Sequence, residues 1–232
     1  LTRKVVFLRP LGLRLNANNE DDIKNGSALA ELYGIQIVPP RYGISKDRYV
    51  YDKDRNVIAK GINSIKYMNS TVANELYDLA KRSDPKTFMS LLTLMNNETS
   101  IDTRQRDILI KIDFFVDFGN VTELSRIASI FVFFKNGTAK KVQKDKISGQ
   151  MLDVVSKYAT DKNKNGTEAK SFTITDMAGL LNECESVIKS LHLPDLDLKC
   201  KIQNQIELMG YIDLTTNKKE DRRKLLITDV FP

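Results

Sequence analysis

The chain has 232 residues, 41% hydrophobic and 28% charged, which suits one or two globular domains and is ample for a packed core. No apolar run approaches the roughly 20 residues of a bilayer-crossing helix, so no membrane partner is expected and a cytoplasmic location is read. Lys and Arg number 36 against 30 Asp and Glu, and the net charge of +6 mildly favours an anionic partner.

Taken in chain order, the opening LTRKVVFLRPLGLRL superficially resembles a signal peptide. Arg9 and Arg14 interrupt its apolar run and no small-residue cleavage site follows, so it reads as an internal segment. Residues 19–33 read as a helix, with Ile23, Leu29, Leu32 and Tyr33 on one face and Gly34 as its stop. IQIVPP is a short strand halted by Pro39 and Pro40, and RYVY-DKDRN-VIAKG is a hairpin. The hairpin leads through Gly61 into a turn and a helix capped by Asn69 or Ser70, whose stripe is Val72, Ala73, Leu76, Leu79 and Ala80. Phe88 to Met95 is a short apolar helix. IDTRQRDILIKIDFFVDFG reads as one helix opened by Asp102 or Thr103 and ended at Gly119. A further helix opens at Val121 or Thr122 and ends near Phe134.

From Lys135 to Lys170 nine lysines face only Asp145, Asp153, Asp161 and Glu168. KNKNGTEAK has no apolar periodicity, so the segment reads as a low-order basic connector. It either adds salt-dependent affinity for phosphates or only keeps the chain solvated. Beyond it come a helix opened by Thr175 or Asp176 and stopped before Pro194, and a helix leading into a strand. KKEDRRKLLITDVFP reads as a return strand that stops unfinished at Pro232, with Arg222, Arg223 and Lys224 either on a binding surface or guarding an edge. The expected class is α+β, mainly α. Its expected parts are a mixed module over 1–56, a helical domain over 57–134, the connector over 135–170, and a C-terminal helix with a β-hairpin over 171–232.

The order strand, turn, helix from Val57 onward suggests a helix-hairpin-helix element, whose turn amides and following helix N-terminus grip phosphates. The turn is Ile65-Lys66-Tyr67-Met68-Asn69-Ser70. Candidate DNA-binding residues are Lys60, Ser64, Lys66, Asn69, Ser70 and Thr71. Tyr67 and Asn69 stand where such turns carry glycines, so Lys66 is the stronger phosphate partner and the amide contacts the weaker. From the turn alone, a plain packing corner remains open beside DNA binding.

Four strings in register carry a resemblance: IQIVPPRYG, VIAKGINSIKYMNSTVANEL, FMSLLTLM and IDTRQRDILIKIDFFVDFGN. Together they resemble the rear part of bacterial C-family replicative DNA polymerases, the DNA polymerase III alpha subunit, over roughly residues 19–120. The resemblance implies a part of a replicase that closes the fingers and holds the duplex leaving the active site. It also implies that SGQMLDVV contains a sliding-clamp contact. There Gln150 would bond at the groove entrance while Met151, Leu152 and Val154 fill an apolar pocket, although the usual aromatic end is missing. An ordinary amphipathic helix start is the alternative. The tail resembles the lead-in to an oligonucleotide-binding (OB-like) barrel.

No chemistry is expected of the chain itself. Glu20, Asp21 and Asp22 read as a helix-dipole cluster, Asp113 and Asp117 as a helical i, i+4 pair, and Asp195 and Asp197 as connector residues. Cys184 and Cys200 read as separate reduced thiols, and His192 lacks partners at zinc-ligand spacing. No catalytic or metal residue and no cofactor is assigned; the parent polymerase implied by the resemblance would use Mg2+. The expected partners are double-stranded DNA and, as the second reading, the sliding clamp or another replisome subunit.

Overall fold

The structure, a computed structural model, describes residues 25–26, 28–30, 32–63, 65–162 and 167–210. Its strands are β1 (Gln36–Val38), β2 (Val50–Asp52), β3 (Val57–Ala59), β4 (Lys141–Gln143), β5 (Ala159–Lys162) and β6 (Glu168–Ile174). The long helices are α1 (Ser70–Arg82), α2 (Phe88–Glu98), α3 (Thr103–Lys111), α4 (Val121–Phe133), α5 (Gln150–Tyr158), α6 (Met177–Ser190) and α7 (Leu198–Met209). Two separate three-stranded sheets among these helices make the class α+β, as the sequence implies. The chain divides into two compact units. The first comprises Leu1–Arg82, Lys111–Phe114 and Asp197–Pro232, and the second Ser83–Ile110 and Phe115–Leu196.

In the first unit the described residues of 25–32 are helical, and Gly34 follows at φ +65°. β3 lies centrally, parallel to β1 and antiparallel to β2. Ile58 and Ala30 are buried under Leu29, Ile35, Ile37, Tyr49 and Tyr51. The hairpin closes because the Asp52 carboxylate accepts from the amides of Asp54 and Arg55, at 3.0 and 3.1 Å. Asn56, at φ +52°, takes the left-handed position that asparagine tolerates. α1 buries Val72, Ala73, Leu76 and Leu79 of its expected stripe and leaves Ala80 half-buried, and Asn69 caps it by accepting from the Val72 amide at 2.9 Å. Sequence-distant pieces complete this unit. Lys201 holds Asp113 through both carboxylate oxygens at 3.0 and 3.1 Å, and the Tyr42 ring meets Phe114 edge-on at 6.3 Å.

The second unit packs α4 against α2 and α6, and α5 against α6, beside the antiparallel sheet β4-β6-β5. Its organising residue is Glu185, only 2% exposed. Its carboxylate accepts from the Phe88 and Met89 amides at 3.0 and 2.7 Å, and Lys189 pairs with it at 2.9 Å. Thr87 accepts from the Ser90 amide through its hydroxyl and from the Leu91 amide through its carbonyl, so all four leading amides of α2 are bonded.

Several expectations change. The single helix over 101–119 ends at Lys111, Asp113 takes φ +62°, and a 3-10 turn covers Val116–Phe118. Ile108, Leu109, Ile110, Ile112, Phe114 and Phe115 are all buried, more apolar positions than one helical stripe can hide. Breaking the helix assigns Phe114 to the first unit and Phe115 to the second, where Phe115 stacks on Phe88 at 5.4 Å. Asp113 and Asp117 are therefore not a helical pair. Asp195 and Asp197 cap helices, accepting from the Val121 and Cys200 amides respectively.

The stretch expected as a low-order connector carries β4, α5, β5 and the first half of β6. Its period-2 signal hides among lysines, since only Val142 of β4 points inward. Two of its lysines are also spoken for. Lys144 bonds Glu168 at 2.6 Å and Asp161 at 3.2 Å, and Lys157 bonds Glu183 at 2.9 Å. The expected C-terminal hairpin, the OB-like lead-in and Arg222, Arg223 and Lys224 lie outside the described residues, as do Glu20, Asp21 and Asp22.

Replacing Glu185 by Ala strands two buried amides and should cost about 3 kcal/mol, at about 1–3 kcal/mol per unsatisfied group. Lys189→Ala removes only a half-exposed partner and should cost under about 1 kcal/mol. Urea midpoints of the two variants check this, and equal shifts would remove Glu185 from its organising place.

Candidate nucleic-acid interface

The end of β3, the turn that follows and the start of α1 form one continuous piece of the first unit. Gly61 is required there because a Cβ would collide with the Asp47 carbonyl oxygen and the Arg48 Cα. That close approach lets the Ile62 and Asn63 amides donate to the carbonyls of Lys46 and Asp47, at 2.9 and 3.1 Å. The turn then runs through two successive i to i+3 bonds, Ile65 to Ile62 and Met68 to Ile65, while Ile62, Ile65 and Met68 are buried beneath it. Asn63, Lys66 and Tyr67, between these anchors, face solvent.

Tyr67 occupies the position where a glycine is expected and adopts φ +66° with its ring 55% exposed. A left-handed backbone at a bulky residue costs roughly 1–2 kcal/mol. The turn keeps the glycine geometry without the glycine. Lys66 is exposed, but its backbone amide donates to the Leu208 carbonyl at 2.9 Å, so only its ammonium group is presented.

Lys66, Asn69, Ser70 and Thr71 come together on the exposed rim of this turn. Lys60 is half-buried with its amide bonded to the Val38 carbonyl at 3.1 Å, and Ser64 lies outside the described residues. Asn69 takes the Val72 amide with its side chain and the Ala73 amide with its carbonyl. The Ser70 and Thr71 amides have no acceptor among the described residues. α1 also differs from its neighbours in charge. Asp102, Asp176 and Asp197 cap α3, α6 and α7, Glu185 docks on α2, Asp195 and Glu123 attend α4, and Asp153 lies in the first turn of α5. Among the described residues α1 alone of the seven begins with a neutral cap, no first-turn acid and no docked carboxylate. No carboxylate among the described residues compensates its positive end.

In the second unit Gln150, Met151 and Val154 belong to one turn of α5 and line an apolar groove of about 400 Å³ with Ile130, Val187 and Leu191. Val154 is 5% exposed and Leu152 38% exposed. The Cys184 thiol lies 3.9 Å from the Met151 sulfur, and burial pushes its pKa up to about 11. Among the described residues no three His, Cys, Asp or Glu side chains gather as a metal site, and no helix is long and apolar enough to cross a membrane.

The sequence did not single out residues 44–47, where the Lys46 and Asp47 carbonyls hold the turn. ISKD has neither periodicity nor a motif. No family model matches the chain and no curated protein is significantly similar to it.

The left-handed backbone at Tyr67 gives a direct test. Tyr67→Gly should be more stable than Tyr67→Ala by about 1 kcal/mol, because only glycine adopts positive φ freely. Thermal or urea unfolding of the two variants measures it, and a more stable alanine variant would contradict the turn geometry.

Proposed function

We propose that this chain is a non-catalytic portion of a bacterial DNA polymerase III alpha subunit, acting in DNA replication in the cytoplasm. It holds duplex DNA by the phosphate backbone without reading sequence. One observation carries the reading. The N-terminus of α1 is uncompensated by any carboxylate among the described residues, and exposed Lys66, Asn69, Ser70 and Thr71 surround it. Such an end attracts an anion through its open amides and dipole, and Lys66 adds a point charge. The turn from Gly61 to Asn69 with α1 then serves as the gripping half of a helix-hairpin-helix-type element. Backbone contacts of this kind position a duplex and carry no sequence preference. Nucleotidyl transfer, with its Mg2+, belongs to the rest of the parent protein.

A titration of a labelled duplex across salt concentrations tests this. Affinity should fall steeply as salt rises, and Lys66→Glu should weaken binding about tenfold and lower the salt slope by about 1. Binding that is absent, or unchanged by salt, would sink the reading.

A second reading places a protein partner, the sliding clamp or another replisome subunit, on the second unit. The observation behind it is the exposure of Gln150 and Leu152 at the start of α5. Val154 is spent on its own unit's core and is not available to a partner. Gln150→Ala with Leu152→Ala should therefore abolish clamp capture without lowering the melting temperature. Unchanged clamp affinity would remove this reading.

A further inference from the structure

Two lysines of the first unit converge on one aromatic ring. Lys46 Nζ lies 5.5 Å from the centroid of Tyr77, and Lys81 Nζ lies 5.1 Å from it. Neither ammonium group has a carboxylate at ion-pair distance among the described residues. Asp47, next to Lys46, and Asp78, one turn before Lys81, pair with neither. The ring face attracts each cation. The two cations nevertheless repel each other, being within roughly one Debye length, about 10 Å at 0.1 M salt. With no acid paired to either among the described residues, the two ammonium groups make a positive site suited to an anion.

We propose that Lys46, Lys81 and Tyr77 form a second phosphate-binding site, in addition to the α1 N-terminus, and that its ligand is a phosphate of the nucleic-acid backbone. The proposal rests on the duplex-binding reading and extends it to residues outside the turn. The two sites are structurally tied. Tyr77 and Lys81 belong to α1 itself, and the Lys46 carbonyl accepts the Ile62 amide at the start of the turn. Thr71 and Lys81 are separated by about 15 Å along the helix at 1.5 Å per residue. Over that length a duplex presents several phosphates, about one per 1.7 Å of axis. The tyrosine that both lysines approach also suits this ligand, since the Tyr77 hydroxyl has no acceptor among the described residues and can donate to a phosphate oxygen.

The test compares wild type, Lys66→Glu, the double variant Lys46→Gln/Lys81→Gln and the charge-preserving Lys46→Arg/Lys81→Arg. Each full chain is titrated with a labelled duplex across salt and melted with and without pyrophosphate. The double Gln variant should bind duplex about tenfold more weakly with a salt slope reduced by about 1, near 0.9 for the one phosphate lost. The Arg pair should keep the wild-type slope, and all four should melt as folded proteins. If wild type binds duplex and the Gln pair binds it with the same affinity and slope, the second site is overturned while the duplex reading stands. If wild type ignores duplex but pyrophosphate raises its melting temperature and not that of the Gln pair, the site takes a free phosphate and the backbone assignment is overturned with the duplex reading. If neither ligand distinguishes the Gln pair from wild type, the site is overturned outright.

Discussion

The first amides of a helix have no intrahelical acceptor, and how this chain meets that demand organises both units. At α2 the answer comes from the other end of the sequence: Glu185 is 97 residues from Phe88, yet its buried carboxylate closes the helix start that Thr87 only half completes. At α4 the answer is again distant, with Asp195 on the Val121 amide and Asn120 donating to the Leu193 carbonyl. α3, α6 and α7 rely on their own aspartates. Each device leaves a negative charge at the positive end of the helix dipole. α1 is served by an asparagine, which satisfies an amide and contributes no charge. Acidic side chains thus bond five helix starts, while among the described residues none serves α1, on the edge of an exposed lysine-bearing turn.

Much of the fold was legible because it is local. The hairpin followed from DKDRN between two apolar runs, and the Asp52 side chain accepts from two turn amides as such a sequence requires. α1, α2 and α4 followed from their apolar residues, and α1 also from its polar cap. The 101–119 segment misled because its apolar residues are too dense to show one face, and what breaks it is the need to feed two cores. The lysine-rich stretch misled for the opposite reason: strands of three or four residues with one inward apolar side chain carry almost no period. The pairings that assemble the units reach far along the chain, 73 residues between Asn120 and Leu193, 97 between Phe88 and Glu185, and more again between Lys66 and Leu208, and local patterns do not record them.

The candidate site was legible in part for the same reason. Lys66, Asn69, Ser70 and Thr71 are close in sequence and remain close in space. What sequence could not supply was the fate of each amide, since the Lys66 amide is taken by Leu208, 142 positions later by the residue numbers. Nor could it supply Lys46, which reaches the turn only because Gly61 admits a passing backbone. The doubt raised by Tyr67 resolves into a measurable property of its backbone, since the residue accepts the left-handed conformation that a glycine would have taken without strain.

The break between Phe114 and Phe115 bears on how the protein is made. The first unit starts at the beginning of the chain, borrows Lys111–Phe114 from the middle and needs α7 to supply Lys201 and the Leu208 carbonyl. The second unit extends no further than Leu196. During synthesis from the N-terminus, domains form as their residues emerge. The unit that begins first is therefore the last to be completed, and β1 to α1 must wait on the ribosome for a helix translated more than a hundred residues later.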